Sequence, residues 1–190
     1  MKKSIRFTFP LVLAAIAASG LCLVATAPAA EETSPSPGMT SSDAAGKSKL
    51  SANDKRFLKK AYRGGKEEVD NAKMAKDKAQ NDATKDVADR MVTDHTKAND
   101  QLEQIAKEEN LDLSKVTPKP MEISGANFDK QYLTMLKKDH EKDIAMFEKE
   151  ANDTGTKEDS DVKKFAKDTL PTLKEHLQLI EDALKKMENK

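Results

Sequence analysis

From Ser51 onward, apolar or small residues return at every third or fourth position, the spacing of one face of an α-helix. A first segment, about 51–80, puts Phe57, Ala61, Gly65, Glu68, Ala72, Ala75 and Ala79 on one face, and Ser51 with Asp54 three residues later forms a capping-box start. A second, about 82–110, carries Ala88, Met91, His95, Ala98, Leu102 and Ile105, with Asn81 or Asp82 to cap it. So short a link predicts an antiparallel hairpin, roughly 40 Å long at a rise of about 1.5 Å per residue. A third segment, about 127–152, carries Leu133, Leu136, His140, Ile144, Phe147 and Ala151, with Phe128 and Tyr132 beside them and Thr154-Gly155 as its stop. The fourth, about 158–188, has Val162, Ala166, Thr169, Leu173, His176, Ile180, Leu184 and Met187 as its stripe. Pro171 falls inside it, removes a backbone donor from the carbonyl of Lys167, and should kink the helix or mark a restart.

Residues 111–125, with Pro118, Pro120 and Gly125, are too many for a tight turn and read as a crossover or end-cap loop. Four such stripes can be buried only against one another, which predicts an all-α, antiparallel four-helix bundle with its longer connection between the second and third helices. The alternative is a pair of long hairpins that complete their core by forming a homodimer. Composition agrees: 4% aromatic residues and no tryptophan are poor material for a β-sandwich. Lys+Arg and Asp+Glu balance at 33 each, so there is no basic excess to track a phosphate backbone, and no nucleic-acid partner is expected.

The first residues are of another kind. Lys2, Lys3 and Arg6 precede an apolar stretch from Phe7 to Val24, and Ala27-Pro28-Ala29 supplies the small residues that signal peptidase requires. Residues 1–29 therefore read as a Sec-type signal peptide, which sends the chain to the periplasm or cell envelope. The alternative is an uncleaved anchor in the inner membrane, since the run approaches spanning length. Lipidation at Cys22 is disfavoured by Leu21 before it, where a small residue is needed. Residues 30–50, rich in Ser, Pro, Thr and Gly, read as a disordered tether, and residues 51–190 as the folded domain. Cleavage after Ala29 removes Lys2, Lys3, Arg6 and the single cysteine, leaving a net charge of −3 and no thiol for a disulfide, a zinc-thiolate site or a nucleophile. No later apolar run is long enough to insert the mature domain into a membrane.

Three histidines remain, His95, His140 and His176, each within the stripe of a different helix, and Glu68 joins them from the first. Counted from the first turn, Glu68 and His95 lie within about 3 Å of one level; counted from a loop near Gly155, His140 and His176 differ by roughly 9 Å. Each histidine follows a carboxylate, Asp94, Asp139 or Glu175, placed about 100° round the helix where it can reach an imidazole of a neighbouring helix. One reading is a metal site of Glu68, His95, His140 and His176, backed by Asp94, Asp139 and Glu175 and suited to zinc, copper, iron or manganese. The other is a buried polar network that fixes helix register, or a set of hydrated boundary positions. Met91, Met135 and Met146 read as core filling. No nucleophile elbow or phosphate-cradling loop is present, so no catalysed reaction is expected.

Gly65-x-x-Glu68-Val69, Met91-Val92-x-Asp94-His95, Phe128-Asp129-x-x-Tyr132, Asp139-His140 and Leu170-Pro171-x-Leu173-x-x-His176 give the chain a resemblance, over nearly all of residues 51–185, to the bacterial domain-of-unknown-function family number 4142. That resemblance implies an exported, ferritin-like bundle and singles out Glu68, Asp94, His95, Asp139, His140 and His176. Members are often labelled predicted outer membrane proteins, yet the chain lacks the alternating strands a barrel would need. Di-iron ferritin-like proteins carry Glu-x-x-His, whereas Val92, Lys137 and Leu173 stand three residues before these histidines, so carboxylate-bridged di-iron chemistry is not expected. The expected role is that of a non-catalytic binding or stress-related accessory protein of the cell envelope. A mononuclear metal-binding or metal-buffering protein and a dimeric helical interaction module are the alternatives.

Overall fold

The computed structural model describes residues 49–188 apart from 120, 124, 125, 158 and 159; the expected signal peptide and nearly all of the expected tether lie outside the described residues. Four helices form: α1 (Ala52–Lys78), α2 (Asp82–Glu108), α3 (Phe128–Ala151) and α4 (Asp161–Glu188). The capping box is present, with Ser51 Oγ accepting from the Asp54 amide and Asp54 accepting from the Ser51 amide. Asn81 caps α2 by accepting from the Ala83 amide. α3 stops at Ala151, three residues before Thr154, with Asn152 as its C-cap. α4 starts at Asp161, three residues later than the pattern indicated, and then runs through Pro171 without restarting.

α1 packs against α2 and α3, and α4 against α3 and α2, so α1/α4 and α2/α3 are the diagonals. Taking the start of α1 as the lower end, α1 rises and α2 descends. The connection 109–127 then climbs the outside of the bundle, where the Lys119 amide donates to Glu67 and the Met121 amide to Asn71. It is a crossover, and it delivers α3 at the top, where Asp129 accepts from the Gln80 and Asn81 amides of the first turn at 3.2 and 3.0 Å. α3 descends, and Thr156 beyond it bonds Asp54 at the lower end before α4 rises. Every adjacent pair is thus antiparallel with one long crossover, the ferritin-like arrangement. No helix among the described residues is long and apolar enough to cross a membrane.

The apolar core is in two parts. The lower contains Phe57, Leu58, Leu102, Phe147, Phe165 and Leu173, with Phe57 and Phe147 edge-to-face at 4.9 Å. Leu50, from the end of the tether, packs against it. The upper contains Met91, Tyr132, Leu133, Leu136 and Ile180. Between them, halfway along the bundle, lies a layer of buried polar side chains.

Candidate metal centre

That layer is Glu68, His95, His140 and His176, one from each helix, and all are buried. Glu68 and His176 lie 16 and 15 residues above the lower ends of α1 and α4, while His95 and His140 lie 13 and 11 above those of α2 and α3. The spread of five residues is about 7 Å of height. Helical side chains lean toward their own N-termini, so Glu68 and His176 lean down while His95 and His140 lean up. The lean brings them to one level. It also corrects the mismatch expected for His140 and His176, whose Nε2 and Nδ1 lie 3.2 Å apart. The connection 152–160 extends well past Gly155, which shortens the expected offset, and the opposed leans close the remainder.

Gly65 lets α1 approach α2 here: a Cβ at that position would lie 2.4 Å from Oδ1 of buried Asn99. One turn on, Glu68 reaches both helices that flank α1, with Oε2 2.9 Å from His95 Nδ1 on α2 and Oε1 3.1 Å from His140 Nδ1 on α3. Both are ion-pair distances, and neither Glu68 oxygen has a hydrogen-bond partner among the described residues. His140 Nδ1 is also 3.1 Å from the Leu136 carbonyl. On the opposite side, His176 Nε2 is 2.9 Å from Asp94 Oδ2, and Arg90 Nε sits 2.5 Å from that same oxygen.

These partners assign the tautomers. Carboxylates and carbonyls only accept, so Nδ1 of His95, Nδ1 of His140 and Nε2 of His176 carry the protons. The lone pairs are left on His95 Nε2, His140 Nε2 and His176 Nδ1. The three rings lie with centroids 5.2 to 5.5 Å apart, and one nitrogen from each falls within 4.8 Å of the others. His95 Nε2 has no hydrogen-bond partner among the described residues. Lone pairs facing each other at 3.2 Å repel, so the layer requires a cation, either a proton or a metal ion. The charge distribution agrees. Burial opposes ionisation of His140, but Glu68 outweighs it and holds its pKa above the usual histidine range. Burial and the neighbouring imidazoles outweigh the bond to Asp94 and press His176 down to about 4. Burial would raise Glu68, yet His95 and His140 hold it far below the ordinary carboxylate range.

Glu68 therefore stands behind two imidazoles, orienting them, and Asp94 stands behind the third, as a carboxylate on an outer histidine nitrogen does in metal sites. Asp139 pairs with Lys142 on the surface, and Glu175 lies 3.8 Å from Arg90; in the structure neither is paired with an imidazole. Met91 is buried in the upper core and Met146 packs against the lower, as core residues. Asp143 lies outside the hydrophobic stripe of α3 but within reach of the same layer. Burial and the charge of Glu68 push its carboxyl up to about 7. The signal was available, since 140, 143 and 147 step by three and four along α3, but apolar Ile144 beside it takes the place in a hydrophobic stripe.

The chain matches the family described as Domain of unknown function (DUF4142) over residues 39–183. It belongs to that family. Among solved structures, this DUF4142 protein is similar to a DUF305 fragment from Deinococcus radiodurans, with a TM-score of 0.60, 12% identity, and coverage of 72% of this chain and 97% of the other. At that identity the likeness speaks for the fold alone. Among curated proteins, none matches by sequence.

Proposed function

We propose that this DUF4142 protein is an exported cell-envelope protein that binds one late first-row transition-metal ion, zinc or copper, on His95, His140 and His176, and that it holds the ion without turning over a substrate. One observation carries this reading. Three buried imidazoles, each tied by its outer nitrogen to a carboxylate, turn lone pairs toward a shared centre where His95 Nε2 has no partner. Tetrahedral zinc with Zn–N of about 2.0–2.1 Å needs nitrogens about 3.3 Å apart, and the His140–His176 pair already stands at 3.2 Å. An all-imidazole set favours zinc or copper over iron or manganese, which draw on carboxylates. Binding without turnover is supported by the cavity beside the rings, about 30 Å³ and walled by Ala61, Leu102, Phe147 and Phe165. That is room for about one water. Export is supported by residues 1–29.

The test is metal content by mass spectrometry of protein purified untagged from the periplasm, beside the triple variant His95→Ala, His140→Ala, His176→Ala. One equivalent in the wild type and none in the variant is expected. Metal-free protein that gains no stability with zinc or copper would leave the layer as a register-fixing network.

A further inference from the structure

A buried site needs a way in. The small cavity beside the imidazoles is lined by Glu68, His95, His176 and Asp143 among others. A second space, about 270 Å³, opens between α1, α3 and the crossover and is lined by Glu67, Glu68, Asp139, Asp143, Lys119 and Lys142 among others. The two share Glu68 and Asp143. Glu68 is engaged by two imidazoles, which leaves Asp143 as the carboxylate standing between solvent and the inner cavity. Across from it α1 presents Gly64, where an added Cβ would lie 3.9 Å from Asp143 Oδ2. No α1 side chain covers the Asp143 carboxylate from that position. The opposite approach, between α2 and α4 past Thr172 and Asp94, is less suited to a cation, because the Arg90 guanidinium already sits on Asp94.

We infer that the cleft between α1 and α3 is the route by which the metal ion reaches and leaves the histidines, with Asp143 as the carboxylate that relays it past Glu68. This rests on the metal-binding reading above. Asp143 takes the ion from the cleft, neutralises part of its charge while water is shed, and passes it to His95, whose Nε2 lacks a partner. Asp139 at the outer part of the cleft is paired with Lys142, but Glu67, Glu68, Asp139 and Asp143 together outnumber Lys119 and Lys142 there, an acidic excess that favours a cation.

The test is stopped-flow zinc uptake by the purified whole chain, and zinc release to a chromophoric chelator. The variants are Asp143→Asn, Gly64→Leu, which fills the gap over Asp143, and Thr172→Leu at the opposite mouth. Asp143→Asn, by removing the relay, and Gly64→Leu, by obstructing it, should slow uptake and release together, by about tenfold, because a barrier raised along one path is raised in both directions. Thr172→Leu should leave both rates at the wild-type values. Wild-type rates in both cleft variants, or slowing by Thr172→Leu alone, would overturn the route. Faster release with unchanged uptake in Asp143→Asn would make Asp143 a ligand instead of a relay, and would overturn it equally. A wild-type chain that takes up no zinc or copper would overturn the metal site itself, an outcome separate from the others.

Discussion

Two buried polar regions lie in this bundle, and they solve the problem of burial differently. At the lower end, Asp54 accepts from Thr156 Oγ at 2.6 Å and from the Ser51 amide at 2.8 Å, while Lys163 Nζ donates to the Asp153 carbonyl at 3.1 Å. Glu150 completes the group: burial first, and then its bond to Asp54, push its carboxyl up to about 7, so it shares a proton with its neighbour. Asp54 there meets donors from the chain itself, although Glu150 Oε1 has no hydrogen-bond partner among the described residues. In the central layer Glu68 and Asp94 face the three outer nitrogens, while inside them His140 Nε2 and His176 Nδ1 stand 3.2 Å apart and His95 Nε2 has no partner among the described residues. The lower group ties the connection 152–160 to the start of α1. The central layer needs a proton or a metal ion between its inner nitrogens, and in the function proposed above that ion is a metal.

The largest effect should come from removing the carboxylate that holds two rings. Glu68→Ala leaves His95 Nδ1 without its carboxylate and His140 Nδ1 with the Leu136 carbonyl alone, and chemical denaturation should show a loss of about 3 kcal/mol or more. Asp54→Ala at the lower end, where water reaches more easily, should cost less. An equal or smaller loss at Glu68 would mean that the layer is not held as described.

Gly65→Ala tests the close approach that puts Glu68 within reach. Its Cβ would meet buried Asn99, and a loss of about 1–3 kcal/mol is expected, recovered in part by adding Asn99→Ala. A melting temperature that rises instead, as helix propensity alone would dictate, would show that the helices can part without cost.

The lower group should respond to pH in a direction set by Glu150. Its folded pKa, about 7, exceeds its ordinary 4.5, so the folded state binds the proton more tightly and stability falls as pH rises through that window. Comparing wild type with Glu150→Gln at pH 5 and pH 8, the wild type should lose about 1 kcal/mol more on going to the higher pH, a figure reduced for hydration of the surrounding carboxylates. Equal losses would remove Glu150 as the source. Asp54, held below its ordinary pKa, acts oppositely, and its contribution fades only as pH falls below about 4.

The smallest effects belong to the two carboxylates that face solvent. Asp139→Asn and Glu175→Gln should each change stability by less than about 0.5 kcal/mol and leave metal content as in the wild type. Loss of metal in Glu175→Gln would show that the chain Glu175, Arg90, Asp94, His176 carries further than its distances imply.

The amphipathic stripes, the capping box at Ser51, the Asn81 cap and the long connection before α3 were all legible along the chain, because each rests on residues a few positions apart. That each histidine lies in an apolar stripe was legible for the same reason. Asp94 could be proposed behind an imidazole, but nothing local separated it from Asp139 and Glu175, which also precede histidines. The separation depends on which neighbour each helix edge faces. Asp143 and Asn99 were hidden because a polar residue beside an apolar one yields its place when a stripe is drawn by hydrophobicity.

By itself the sequence determined that this chain makes four amphipathic helices, where they begin and end to within a few residues, and that Glu68 and the three histidines lie in their apolar stripes, since periodicity and capping act over one or two turns. Only the tertiary structure decided that Glu68 lies behind the histidines, that His140 meets His176, and that Asp143 stands at the wall between two cavities. Those facts depend on the opposed lean of side chains on antiparallel helices and on the approach that Gly65 permits, which arise between elements distant in sequence.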